Sequence, residues 1–352
     1  MTETPESLDR LLRVPGPSGY EAPAAQLWRE QASAFAEVRS DALGSSVARV
    51  GGEDGAPTFA VVGHIDEIGL VVTHIDDDGF LWFAPIGGWD PQILVGQRVV
   101  LAGRGGEVPG VLGKKPIHLL KDEQRKQVAK VSDMHIDIGA AGRDEAEELV
   151  GVGDPAVLAA EPLSLPNGRL ASRSLDNRLG SYVALEVARR CAERERIVAE
   201  VAGVAAVQEE ITMAGSRTTA FAVDPDVAVA VDVTHATDAP GIDKKENGDH
   251  ALGSGPVIGR GSTLNPKVTA LLIETAEAEG IDHTLEASGR NTGTDADAIQ
   301  IARAGIATGL VSIPLRYMHS SVELVQLSDV EAVIELLVAF ASRLDADSDF
   351  SR

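Results

Sequence analysis

The chain has 352 residues, enough for two domains of ordinary size. Hydrophobic residues make up 44% and aromatics 4%, so the core must rest on Ala, Val, Leu and Ile. The 54 acidic side chains outnumber 31 basic ones, and the formal charge of −23 repels nucleic acid and anionic membrane surfaces.

The N-terminus, Met1 to Ser7, has neither a basic region nor an apolar run, and no apolar stretch approaches the roughly 20 residues of a membrane span. The lone cysteine, Cys191, allows no internal disulfide. It continues Leu179, Val183 and Val187 at four-residue spacing, the mark of a buried helix stripe. These features predict a soluble, cytoplasmic protein without nucleic-acid or membrane partners.

Taken in order, the first apolar run is Phe59–Gly63, a buried strand by its length and composition. Leu70–Ile75 and Phe80–Ala84 flank Asp76-Asp77-Asp78-Gly79, a turn signal between two β-rich runs. Val95–Ala102, Gly110–Leu112, Ala129–Ile136 and Val150–Val157 continue as short strands with frequent glycine, and the charged Leu120–Lys130 reads as an exposed loop. Further on, Asn177–Arg194, Pro266–Glu279 and Asp295–Ala304 have helical patterns. They alternate with the apolar runs Val201–Val207, Val227–Asp232 and Thr308–Ile313. Asn265-Pro266 is a helix start and Gly280 a stop. Apolar strands separated by helices predict an α/β fold with a mixed, mostly parallel sheet covered on both faces. The β-rich segment predicts a small all-β domain inserted into it. The expected divisions are 1–69 and 165–352 for the α/β domain and 70–164 for the insert.

Metal-ligand side chains stand at the ends of the apolar runs. Phe59–Gly63 leads into His64-Ile65-Asp66-Glu67, Val201–Val207 into Gln208-Glu209-Glu210, and Val227–Val231 into Asp232. Ligands of open α/β sheets bind outside the carboxyl ends of the strands, so three strands deliver acids or imidazole to one edge. His319 follows the Thr308–Ile313 run, and Asp176 precedes the Asn177–Arg194 helix. Each has a plainer reading. A histidine after a strand is more often structural, a Glu-Glu pair is usually solvated, Asp232 suits a loop, and Asp176 is a natural helix cap. Their joint placement is what points to chemistry. Two histidines and three carboxylates suit two divalent cations, zinc, cobalt or manganese, if one carboxylate bridges. Two metals about 3.5–4 Å apart acidify a shared water, and one of the paired acids, Glu209 or Glu210, could carry its proton.

The motifs Gly63-His64-Ile65-Asp66-Glu67-Ile68-Gly69, Ser174-Leu175-Asp176-Asn177-Arg178, Val207-Gln208-Glu209-Glu210, Val231-Asp232-Val233-Thr234 and Met318-His319-Ser320 occur in this order. Together they resemble the dinuclear-metal aminopeptidases that assemble as tetrahedral dodecamers, the glutamyl/leucyl/lysyl aminopeptidase family. Pro15-Gly16-Pro17-Ser18-Gly19-Tyr20-Glu21 and Gly293-Thr294-Asp295-Ala296 fit the same pattern, so the resemblance covers essentially the whole chain. It implies that His64, Asp176, Glu210, Asp232 and His319 ligate the metals, with Asp176 bridging. It further implies Glu209 as general base and Asp66 as the carboxylate that orients His64. Gly293 and Thr294 would line the substrate pocket, although a turn capping the next helix is the plainer reading. His118 and His235 read as structural or exposed.

The resemblance implies an aminopeptidase acting on peptides, holding two divalent metals per subunit and forming a homo-oligomer. Two readings compete with it. One is a metal-dependent amide deacylase of related architecture, although its β insert usually lies later and lacks the His-Ile-Asp-Glu-Ile-Gly start. The other is a non-enzymatic metal-binding scaffold, which would be expected to have lost Glu209 or a ligand. Glycosidase chemistry needs no histidine ligands, and His64 and His319 argue against it.

Overall fold

The run from Thr58 to His64 is apolar on both faces and pairs on both edges. It therefore lies at the middle of an 11-stranded sheet. The computed structural model describes residues 3–352. Four strands form the parallel heart of the sheet, in the order Glu200–Ala206, Thr58–His64, Val227–His235 and Ala307–Arg316. Antiparallel strands extend both sides: Glu37–Ser40 and Ser46–Gly51 beyond one edge, Glu323–Gln326, Arg169–Ser172 and Leu163–Leu165 beyond the other. Val257–Gly261 and Thr284–Ser288 form a side pair on Ala307–Arg316. The sheet is thus mixed, with parallel pairing concentrated where helical crossovers occur.

Alternation divides each central strand between two cores. Phe59 and Val61 pack with Trp28, Leu179, Leu272 and Phe340 under the helices of one face. Ala60 and Val62 pack with Ala220, Ala296 and Ile299 under those of the other. The helix Leu175–Ala192 lies directly under the sheet, with Leu179, Val183, Val187 and Cys191 all buried along its stripe. Burial pushes the Cys191 thiol up to about 12, so it is an inert core side chain.

The β-rich segment closes on itself as a barrel. Its six strands run in the order Gly69–Ile75, Leu81–Ile86, Met134–Asp137, Gly106–Lys114, Arg98–Gly103 and Pro155–Leu158. The Asp76–Gly79 turn forms as its residues require: Asp76 Oδ1 accepts the N–H groups of Asp78 and Phe80, and Gly79 takes φ +86°. Leu70, Leu81, Leu94, Leu101 and Ile136 fill the interior. The longest helix here, Arg143–Leu149, has 7 residues. The expected boundary between 164 and 165 cuts the strand Leu163–Leu165, whose pairing with Arg169–Ser172 puts all three residues in the large sheet. Among the described residues no helix is long and apolar enough to cross a membrane.

Other boundaries move for local reasons. The third helix spans only Asp295–Ile299, because the chain then turns back through Arg303 at φ +51° and Gly305 at φ +104°. Asp232 does not end its strand. Val227–His235 continues past the end of Thr58–His64, with which it pairs only as far as Ala230. By that register Asp232 stands level with His64, where the pairing between the two strands has already lapsed.

Candidate active site

Five segments meet at the carboxyl ends of the parallel strands. His64 closes its strand, 1% exposed, with Nδ1 facing the Asp66 carbonyl oxygen at 3.2 Å and Asp66 Oδ1 at 3.5 Å. Its Nε2 lies 3.3 Å from Asp176 Oδ1 and 4.0 Å from Asp232 Oδ1. On the other side, His319 Nε2 is 3.4 Å from both Asp176 Oδ2 and Glu210 Oε2. Asp176 thus offers one oxygen to each histidine. His64, Asp176 and Asp232 form one group of ligand atoms all within 4.8 Å of one another, and Asp176, Glu210 and His319 form a second.

The local backbone explains why Asp176 is free to do this. It was also a candidate helix cap, but Asn177 has that place: its Oδ1 accepts the N–H of Gly180 at 2.8 Å, while its Nδ2 donates to the Val231 carbonyl. Asp176 and Asn177 have non-helical dihedrals and the peptide between them is cis. The Asp176 carboxylate points to the histidines instead.

Glu209 and Glu210 follow Gln208, which takes the left-handed φ of +60° and turns the chain off its strand. Two buried carboxylates hold the turn by its N–H groups. Glu21 Oε1 accepts from Gln208, while Asp66 Oδ1 and Oδ2 accept from Glu209 and Glu210 at 3.1 Å each. Glu209 Oε2 comes within 3.7 Å of His64 Nε2.

The electrostatics are those of too many acids in too little water. Burial, then neighbouring carboxylates, push Glu209 up to about 10 and raise Glu210 and Asp232. Hydrogen bonds to Asp176 and Glu210 lift His319 to about 11. His64 is raised by Glu209, Asp176 and Asp66 in spite of its burial. Asp176 is lowered by its two imidazole partners, against the effect of burial. Glu210 Oε1 is buried with no hydrogen-bond partner, an acceptor with nothing to accept. Divalent cations suit this donor set, since imidazole and carboxylate without thiolate are their ordinary ligands.

A cavity of about 670 Å³ opens over the cluster. Glu209, Asp232, Thr234, Glu286, Gly293 and Thr294 are among its lining residues. Thr294 is also a helix cap, its Oγ1 accepting from the Ala296 N–H. His235 lines the cavity and is exposed; His118 is exposed in the barrel.

Sequence reasoning missed the supports behind the cluster. Arg178 is fully buried and donates to the carbonyls of Ile65, Leu11 and Val14 and to Glu67. Glu67 also receives Arg173 and the Gly16 N–H. Burial lowers the Arg178 guanidinium to about 10, still charged at neutral pH. The Pro15–Glu21 segment is thereby fastened beneath the site. Its only sequence signal was membership of a motif. Asp295, present in the sequence reading only within the Gly293–Ala296 motif, is buried with neither carboxylate oxygen hydrogen-bonded, and Glu323 was missed altogether.

A cavity over clustered imidazoles and carboxylates at a parallel sheet edge defines a site for small-molecule or peptide chemistry. The family pattern that matches this chain, over residues 44–336, is that of the M42 glutamyl aminopeptidases, and the chain belongs to that family of peptide hydrolases. It is 39% identical to the lysyl aminopeptidase of Pyrococcus furiosus, over 96% of this chain and 97% of that protein. The fold matches the TET aminopeptidase of a marine-sediment thaumarchaeon with TM-score 0.92 and 37% identity, covering 97% of this chain and 96% of that one. It also matches the Pyrococcus horikoshii TET1 peptidase, which can assemble into a tetrahedron or a large octahedral shell. There the TM-score is 0.85 and the identity 32%, over 96% of this chain and 99% of that one.

Proposed function

We propose that this protein is a two-metal aminopeptidase that removes N-terminal residues from short peptides. The observation that carries the reading is the pair of ligand groups sharing Asp176, with Glu209 beside them at the cavity wall. His64, Asp176 and Asp232 would hold one divalent cation and Asp176, Glu210 and His319 the other, zinc or cobalt first and manganese next. When bound, two such ions supply an acidified water and a polarised carbonyl. Glu209, whose Oε2 lies 3.7 Å from His64 Nε2 at the cavity wall, would take up the water proton and return it to the leaving amine. Asp66 fixes the turn carrying Glu209 by two N–H groups while its backbone oxygen orients His64.

Gly293 and Thr294 would contact substrate. Glu286 lines the same cavity and accepts the Thr234 hydroxyl, so a basic N-terminal side chain finds an ionic partner there. We assign residues 1–68 and 163–352 to catalysis and 69–162 to the insert, which would pack between subunits in a closed homo-oligomer, a dodecamer as in the tetrahedral relatives. The composition supports a cytoplasmic setting.

Free and N-acetylated aminoacyl substrates test the reading. The carboxylates around the cavity favour a free α-amino group, and acetylation removes its lone pair and adds bulk. Lys-anilide and Leu-anilide should be cleaved with added metal, lysine faster, while their acetylated forms stay nearly inert. Comparable or greater rates on the acetylated forms would favour the deacylase.

A further inference from the structure

One buried carboxylate outside the two ligand groups touches the backbone of two residues within them. Glu323, 2% exposed, begins the strand Glu323–Gln326. Its Oε2 accepts the N–H of Asp176 at 3.0 Å, and its Oε1 accepts the N–H of His319 at 3.0 Å. The two N–H groups come from separate segments: the start of the helix Leu175–Ala192, and a turn in which Tyr317 and His319 have φ of +60° and +58°. Among the described residues Glu323 makes no ion pair within 4.0 Å. A buried carboxylate without a cation costs stability, so its two acceptor oxygens need a purpose.

The division between oxygens matters. Glu21 also accepts two N–H groups, from Gly19 and Gln208, but both reach the same oxygen. A glutamine could replace Glu21 in both bonds. At Glu323 each oxygen has its own donor, and glutamine would turn an NH₂ toward one of them. We infer that Glu323 is a positioning residue that ties the shared carboxylate of Asp176 to His319 and so sets the Asp176–Glu210–His319 metal position. The His64–Asp176–Asp232 position has its own support at the imidazole, where the Asp66 carbonyl oxygen and Oδ1 face His64 Nδ1, and Glu323 touches neither His64 nor Asp232 by a hydrogen bond. This inference rests on the two-metal reading above.

Asp329 supplies an internal control. It is 1% exposed and its two oxygens accept the N–H groups of Gly253 and Gly255, the same kind of clamp on a loop outside both ligand groups. Full-length protein loaded with Co²⁺ would be dialysed against graded chelator, with retained cobalt and its visible absorption measured. Glu323→Gln should release half its cobalt at about 10–100-fold lower chelator than wild type, the usual scale for losing such a supporting partner. The other half should leave near the wild-type midpoint. Asp329→Asn should release cobalt as wild type does while unfolding at lower urea. Equal shifts of both halves in Glu323→Gln, as a general loss of stability would give, or no shift at all, overturn the inference. If Glu323→Gln does not fold, Glu323→Asp, whose shorter stem cannot reach both donors, should give the same selective release; release like wild type overturns it. A wild type holding fewer than two Co²⁺ per chain overturns the two-metal reading together with this inference. Two Co²⁺ with unselective variants overturn this inference alone.

Discussion

Glu209 and Glu210 are chain neighbours whose side chains face different partners. Glu210 Oε2 sits 3.4 Å from His319 Nε2, whereas Glu209 Oε2 approaches His64 and the cavity. Glu209→Gln should therefore retain metal and lose roughly 10²–10⁴-fold in turnover. Glu210→Gln should lose metal first. Metal analysis beside turnover checks both, and equal metal content with equal loss of rate would refute the division of labour. Glu21 makes a prediction of the opposite kind. Burial, then Asp66, push it up to about 7 from an ordinary 4.5. An acid with a raised folded value is stabilising below its unfolded value, and that contribution is lost as pH climbs from 4.5 through 7. Glu21→Gln keeps the one oxygen that accepts both N–H groups and does not titrate. Its urea midpoint should fall less than that of wild type between pH 4.5 and pH 8, and a steeper fall would refute the account. His64, Glu209, Glu210 and Asp232 stand out as candidates because each follows an apolar run closely, where an acid or imidazole is conspicuous. Asp176 precedes a helix and His319 lies six residues past its run, so both lean more on the ordered motifs. Arg178, Glu21 and Glu323 were not legible, since each has a backbone partner more than a hundred residues away in the chain.

Between elements, the tightest joint is that of the Thr58–His64 strand and the Leu175–Ala192 helix. A Cβ on Gly63 would stand 2.1 Å from the Gly180 carbonyl carbon and 2.4 Å from the Ser181 nitrogen. Both neighbours are backbone and cannot swing aside. Gly63→Ala should cost about 1–3 kcal/mol by overpacking and push apart His64 and Asp176, which the two elements carry. Lower melting temperature together with weakened metal retention is the expected pair of results; a stable variant with full metal would contradict it. Elements with strong end signals read cleanly from sequence. Pro266–Glu279 starts at Asn265, whose Oδ1 accepts the N–H groups of Lys267 and Val268, and stops at Gly280 with φ +68°. The length of Val227–His235 was less legible, because polar residues from Asp232 onward resemble a strand end until their pairing to Ser312 and beyond is seen.

At the scale of the molecule, the barrel was legible as a run of short strands, while its closure depends on the pairing of Leu70 with Ala156, which no local pattern records. The closed assembly proposed above would bring together chains that each carry −23. Salt screens such repulsion. Light scattering in divalent metal should give a mass many times 36.8 kDa at about 0.15 M salt and a smaller one as salt is removed. A 36.8 kDa particle under all conditions would refute the assembly.

The barrel also reaches the chemistry within its own chain. A Cβ at Gly88 would meet His319 Nδ1 at 3.3 Å, and one at Gly87 would meet Glu210 Oε2 at 3.4 Å. Both glycines follow the barrel strand Leu81–Ile86, and Trp89 next to them donates to the Gly69 carbonyl. The turn that leaves the barrel thus lies against two of the candidate ligand side chains. A side chain added at Gly88 would crowd the His319 imidazole, so a body that contributes none of the candidate ligands can still detune them.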